Sequence, residues 1–495
     1  MTVAGNGSGQ VELGDLGSNG FRISGIDDFD AASVSVSGAG DVNGDGLGDV
    51  IIGGPFADPG GRNRAGESYV VFGKADNTPV SLADVAGGSG GFVMNGIDES
   101  DYAGRSVSGA GDVNGDGLDD VIIGAYQAED FGGQSYVVFG KVDGNPVELS
   151  DVALGNGGFL IVGIEPFDFS GRSVSGAGDV NGDGLDDLVI GAFGAEPGGE
   201  SYVVFGKPDG DQVLLGNVAS GIGGFVMRGV DQADFSGISV SGAGDVNNDG
   251  LHDVIVGNGG GDPGGNTAAG EAHVVFGKSD GTPVDLGDVA TGKGGFVING
   301  IDSGDSAGEA VSGAGDVNGD GFDDVIIGAY RGDPNGISDA GESFVVFGKV
   351  DGTPVELSDV AGGAGGFVIN GAALSDSSGF AVSGTGDVND DGLDDVLVGS
   401  PNADPDGKVF VVFGKKDGMP VEASDLAADN GGFILNGASS DFSTGLSVSG
   451  AGDVNADGVS DMLIGATSFD RAGSTYVVFG KRRELLFMDG FEPPL

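Results

Sequence analysis

An all-β fold, a seven-bladed β-propeller built of four-stranded blades, is the architecture this sequence predicts, and three observations carry the prediction. A nine-residue Asp/Asn/Gly loop recurs seven times, beginning at Asp41, Asp112, Asp179, Asp245, Asp316, Asp387 and Asp453. The loops begin 71, 67, 66, 71, 71 and 66 residues apart, the signature of one supersecondary unit repeated along the chain. The two ends of the chain complement one another: the N-terminus carries one strand to spare, and the last unit lacks one.

Each unit reads as four short β-branched or aromatic runs bounded by Gly, Asp, Asn and Pro. In the second unit the first strand is Arg105 to Gly109, and it leads into the loop. The second, Asp120 to Gly124, leaves it. After a turn-rich segment comes Gln134 to Lys141, then a link, then Gly158 to Gly163. Within the link, Val147 to Ala153 has the composition of a helical turn, and no long amphipathic helix competes anywhere. After the seventh loop only two strands remain, Asp461 to Gly465 and Ser474 to Lys481. The missing outer strand of the last blade is supplied by Gly20 to Gly25, ahead of the first loop. An open solenoid would leave two unmatched ends, whereas radial closure leaves only short, protected edges. One propeller is therefore expected over residues 1–481, followed by a tail from 482 to 495 that breaks the repeat.

Composition agrees. Glycine reaches 107 residues without a collagen period, which suits many tight turns and not helices. Asp and Glu number 77 against 20 Lys and Arg, a formal charge of −57 that argues against nucleic acid and anionic membranes as partners. Three carboxylates in each of the seven loops account for 21 of those 77. Cysteine is absent, so disulfides and thiolate metal sites are excluded. No run approaches the roughly 20 apolar residues of a membrane-spanning helix. Residues Met1 to Gln10 lack the basic-then-apolar pattern of a standard signal peptide, so no export route is visible.

The loops carry the chemistry. Oxygen-bearing side chains fall at positions 1, 3, 5 and 9, glycine stands at position 6, and the position 7 carbonyl can complete a ring. This all-oxygen set suits Ca²⁺, with its 6–8 flexible ligands, better than Mg²⁺. The expected ligands are Asp41, Asn43, Asp45, Leu47 and Asp49; then Asp112, Asn114, Asp116, Leu118 and Asp120; then Asp179, Asn181, Asp183, Leu185 and Asp187. The fourth and fifth loops offer Asp245, Asn247, Asp249, Leu251 and Asp253, and Asp316, Asn318, Asp320, Phe322 and Asp324. The sixth and seventh offer Asp387, Asn389, Asp391, Leu393 and Asp395, and Asp453, Asn455, Asp457, Val459 and Asp461. A metal-free turn is the competing reading, since Asp, Asn and Gly favour turns anyway. It does not explain three crowded carboxylates, which repel one another without a cation. About one Ca²⁺ per blade, up to seven, is expected. Gly48, His252 and Ser460 occupy position 8, which is not a ligand position.

The pattern G-x-S-V-S-G-x-G-D-V-N-x-D-G-x-x-D, followed by an apolar strand and Gly-Ala, resembles the FG-GAP repeat that builds the N-terminal propeller of integrin α subunits. The resemblance covers about residues 19–481 and is closest at the loop. The name-giving tripeptides depart from it, as in Gly53-Gly54-Pro55, Gly124-Ala125-Tyr126, Gly257-Asn258-Gly259 and Gly399-Ser400-Pro401, and Phe-Gly is replaced by Ala103-Gly104 or Ser236-Gly237. With a loop in every blade, the chain is closer to calcium-rich bacterial-type FG-GAP proteins than to a receptor subunit. The resemblance implies a non-catalytic, calcium-binding adhesion module, extracellular or at the cell surface, with a protein or glycan ligand on its variable loops. A monomeric propeller is expected. A structural scaffold, or an accessory propeller of a secreted polysaccharide- or lipid-acting hydrolase, is the alternative.

Other motifs yield to the repeat. Arg331-Gly332-Asp333 spells an adhesion tripeptide, but its Gly-Asp parallels Ala57-Asp58, Ala195-Glu196 and Ala403-Asp404. Ser279 lies in a repeated Gly-Lys-x-Asp-Gly turn without the strand-to-helix context of a nucleophile elbow. The glycine-rich run from Gly259 to Gly264 is interrupted by Pro263 and lacks the helix a dinucleotide fold needs. His252 and His273 read as structural, the latter replacing a repeated Tyr. Tyr126, Phe193, Tyr330 and Phe469 follow second strands, where the segments vary most in length. Each reads more readily as inter-blade packing than as a contact for a ligand.

Overall fold

In the computed structural model, which describes residues 9–428, 430–439, 443–467 and 471–482, seven antiparallel sheets surround one axis. Phe469 and residues 483–495 of the tail lie outside the described residues. Blade 1 comprises Ser35–Gly40, Asp49–Gly54, Glu67–Val71 and Gly91–Asn95, from the axis outwards. The same order recurs in the next five blades. Blade 7 takes Thr444–Gly452, Asp461–Ala466 and Ser474–Val478 from the end of the chain and Gly20–Ser24 from its beginning. Phe21 pairs with Val477 and Ile23 with Thr475, so the ring is closed by the strand the sequence had to spare.

Each blade also carries a fifth, very short strand. The link expected to form a helical turn does so at Leu149–Val152, but its first two residues, Val147–Glu148, pair in parallel with the outer strand of the preceding blade. Gln10–Glu12 serves the same purpose on blade 6. The links therefore stitch neighbouring blades at the rim. Third strands end earlier than their composition suggests, Gln134–Val138 in blade 2, because the amides beyond find other partners. Gly140 donates to the Asp120 carboxylate and Lys141 to the Val42 carbonyl of blade 1.

Around the axis the blades are held by the repeated Ser-Val-Ser-Gly. The Ser35 hydroxyl accepts the Val107 amide of the next blade at 3.0 Å, as Ser106 accepts Val174 and Ser173 accepts Val240. The glycine that follows permits this approach: a Cβ on Gly109 would stand 2.6 Å from the Gly38 carbonyl oxygen. Between sheets, the alternate faces of the strands fill seven separate apolar layers. Tyr69, Phe92, Tyr136 and Phe159 are among their largest fully buried members. Every second strand is buried along its whole length, as a central strand covered on both faces must be.

Candidate metal loops

All seven loops join a first to a second strand and so stand at one end of the axis. A bulge at Gly109 and Gly111 turns the chain out of the first strand of blade 2 and into its loop. Position 1 then organises the turn. Asp112 accepts the amides of Gly115, Asp116 and Gly117 at 2.7, 3.1 and 2.9 Å, and Asp116 accepts that of Leu118 at 3.0 Å. Gly117 sits at φ 89°, a conformation that excludes most side chains at position 6.

Position 9 is drawn inwards. Asp120 is fully buried at the start of the second strand, accepting from Val113 N at 3.1 Å, Gly140 N at 2.8 Å and Asn114 Nδ2 at 3.3 Å. Burial pushes its carboxyl up to about 7, against the Gly140 hydrogen bond, with repulsion from Asp116 and Asp112 adding to the rise. Asp324 and Asp395 are pushed up to about 8, burial again being the largest cause. In every loop the first and ninth carboxylates thus share one field with no basic neighbour among the causes of the shift.

The predicted ligands are brought into one loop but not into a finished cage. Among the described residues no group of three or more Asp, Glu, His or Cys side chains is arranged to hold a metal ion as it stands. The donor set nevertheless fits a hard cation. At position 3, the side-chain oxygens of Asn247, Asn389 and Asn455 are buried with no hydrogen-bond donor. An orphaned amide oxygen beside crowded carboxylates is a placement that a cation would satisfy and a plain turn leaves costly.

Position 8, which carries no predicted ligand, has a role of its own. The Asp119 carboxylate accepts the Asp41 amide of the preceding loop at 2.6 Å, and Asp186, Asp323 and Asp394 repeat the contact. His252 does the same through Nδ1 at 3.0 Å. The position 8 amide also donates to the position 1 carbonyl of the loop before it, from Asp119 to Asp41 round to Gly48 and Asp453. The seven loops are therefore chained into a closed ring. The recurrence of Asp at position 8 in four of seven loops was the available signal.

The remaining candidates fall elsewhere. Asp333 accepts the Asp339 amide at 2.8 Å, as Asp58 accepts Arg64 and Asp262 accepts Ala268. The acid of Arg331-Gly332-Asp333 is thus engaged in a turn common to three blades. Ser279 is exposed in a turn whose Lys278 pairs with Asp280 at 2.7 Å. His273 is buried, and burial lowers its imidazole to about 4. Tyr126 packs between Tyr102 and Phe169, Phe193 stacks on Phe169 at 5.2 Å, and Tyr330 meets Phe380 edge-on. These rings bridge successive blades at the end of the axis away from the loops.

Comparison with known proteins agrees with this geometry. The FG-GAP repeat model matches residues 33–71, 103–138, 170–204, 236–275, 307–346 and 378–412, in each case the first three strands of a blade. The chain is an FG-GAP repeat protein. Among curated relatives, this FG-GAP propeller is 30% identical over 245 residues to integrin alpha pat-2 of Caenorhabditis elegans, covering 47% of the chain and 18% of the relative. It is 32% identical over 178 residues to integrin alpha-5 of Xenopus laevis, covering 34% and 15%, and 31% identical over 158 residues to integrin alpha-V of Gallus gallus, covering 32% and 14%. The chain therefore spans less than a fifth of the length of these relatives. Among its described residues no helix is long and apolar enough to cross a membrane.

Proposed function

We propose that this FG-GAP propeller is a calcium-binding, non-catalytic adhesion module of integrin α-like type, acting outside the cell or at its surface and engaging a protein ligand through the loops opposite its metal loops. The observation that carries the metal reading is the buried, donorless position 3 oxygen of Asn247, Asn389 and Asn455, in the loops of blades 4, 6 and 7. The likeness to integrin α chains supports the choice of a protein partner.

In blade 2, Asp112, Asn114, Asp116, the Leu118 carbonyl and Asp120 would hold the ion. Bound Ca²⁺ supplies positive charge to a carboxylate-rich turn, and seven such ions would move the formal charge from −57 to −43. The ligand set does not exist assembled in an unfolded chain, so binding energy becomes folding energy. Affinities of about 10⁻⁴–10⁻³ M suffice outside cells. A neutral buried His273 and a turn-bound Ser279 fit a binding module better than a hydrolase.

Asp116→Ala tests the assignment. Calcium stoichiometry by titration calorimetry should fall by one while the ring stays folded. Unchanged stoichiometry would remove the loop from the metal sites.

A further inference from the structure

The axis is lined by the first strands of all seven blades, which enclose a cavity of about 350 Å³. Along these strands the blades are nearly identical, except at the residue just before each Ser-Val-Ser or its equivalent. That position forms a ring at the channel end away from the metal loops, and its occupants differ sharply. Blades 2 and 3 place Arg105 and Arg172 there, blade 5 places Glu309, blade 6 places Phe380, and the other three are aliphatic.

The arginine pair combines burial with like charge on neighbouring blades. Acidic residues outnumber basic ones 77 to 20, yet among the described residues neither Arg105 nor Arg172 forms an ion pair or a side-chain hydrogen bond with a carboxylate. The six repeat lysines from Lys74 to Lys415 behave oppositely. Each pairs with an Asp two residues on and covers a Phe ring of the preceding blade at 4.2–4.6 Å. Two guanidiniums on adjacent blades instead repel one another while partly desolvated, and burial followed by the Arg172 charge lowers Arg105 to about 10. Arg172 stands over the Tyr126 ring at 5.8 Å, and Glu309 lies near enough to Arg172 and Arg331 to feel both charges. Tyr126 belongs to an aromatic series with Tyr102, Phe169 and Phe193, centroids 5.2–6.3 Å apart, and Tyr330 and Phe380 line the cavity itself. Tyr, Phe and Arg at the rim of a pocket are the residues that anchor protein interfaces.

We infer that this end of the axial channel is a carboxylate socket, in which Arg105 and Arg172 grip an Asp or Glu side chain projecting from a protein partner. Two planar guanidiniums match a carboxylate through paired, charge-assisted hydrogen bonds, and an inserted anion relieves the repulsion that the empty pair carries. The aromatic rings contact the flanking backbone, and Glu309 opposes the incoming charge and sets the depth of insertion. This inference rests on the reading of the chain as a protein-binding module and names the chemistry of the partner.

The test uses the full chain in calcium and biolayer interferometry against immobilised acetyl-Gly-Gly-Asp-Gly-Gly peptide. The Asn-containing peptide and polygalacturonate serve as comparison surfaces. The Asp peptide should bind, and the Asn peptide about tenfold more weakly or not at all. Arg105→Gln and Arg172→Gln should each weaken binding by about tenfold without lowering the thermal midpoint. Glu309→Gln should strengthen it several-fold, an effect opposite to that of a damaged fold. Equal binding of the Asp and Asn peptides, or undiminished binding by the arginine variants, would overturn the socket. Capture of polygalacturonate without the Asp peptide would overturn the choice of a protein partner. Absence of Asp-peptide binding in a chain that calcium still stabilises would sink the socket alone. Peptide binding without any response to calcium would leave it standing and remove the metal reading.

Discussion

His273 fills the place that tyrosine holds in four other blades, and its surroundings show what the substitution costs. Tyr69 and Tyr202 donate to Glu67 and Glu200, and Tyr136 to Gln134, two residues earlier. His273 Nδ1 has no partner, and burial lowers its pKa from 6.5 to about 4. Between those values the unfolded chain binds the proton and the folded one does not. Stability therefore falls as pH drops through that window. His273→Phe copies Phe344 and Phe410 of other blades and removes this penalty. Relative to the parent it should gain stability progressively from pH 6.5 to 4, reaching on the order of 3 kcal/mol, read by chemical denaturation at each pH. Glu271, pushed up to about 7 by burial, is retained in both proteins and largely cancels in the comparison. That His273 is structural was legible from its alignment with the repeated tyrosine. Its orphaned nitrogen was not, because hydrogen-bond partners depend on how the third strand packs against its neighbours.

The hairpin loop is the element on which most of the fold turns. The spacing of its Asp and Asn residues and its glycine were legible because both follow from the local turn. The part played by position 8 was not, because its partner lies 78 residues away in the preceding blade, as for Asp323 and the Asp245 amide. Asp323→Ala should cost about 1 kcal/mol and accelerate amide exchange across the loop beginning at Asp245, whereas Asp323→Asn keeps an acceptor and should restore protection. Equal exchange in all three proteins would show that the carbonyl contacts alone hold the ring. The rim stitching was hidden for the same reason: Val147–Glu148 is too short to read as a strand until the outer strand of blade 1 is beside it.

For the whole molecule, blade number and closure were legible because a period of 66–71 residues and an unmatched strand at each end leave one economical solution. The composition of the axial channel was not, since its lining is gathered from seven segments spread along the chain. Closure makes a direct prediction. Removal of residues 1–25 strips blade 7 of Gly20–Ser24 and exposes the edge of Ser474–Val478. The truncated chain should aggregate or unfold over a broad transition, as an open sheet edge invites pairing with other chains. The central claim, that seven acidic loops are metal-filled staples, is tested most directly by thermal unfolding in millimolar calcium and in excess chelator at neutral pH. Calcium should raise the midpoint by many degrees, because each filled loop relieves repulsion that burial sharpens at the position 9 carboxylates. An identical midpoint in calcium and chelator would contradict the account.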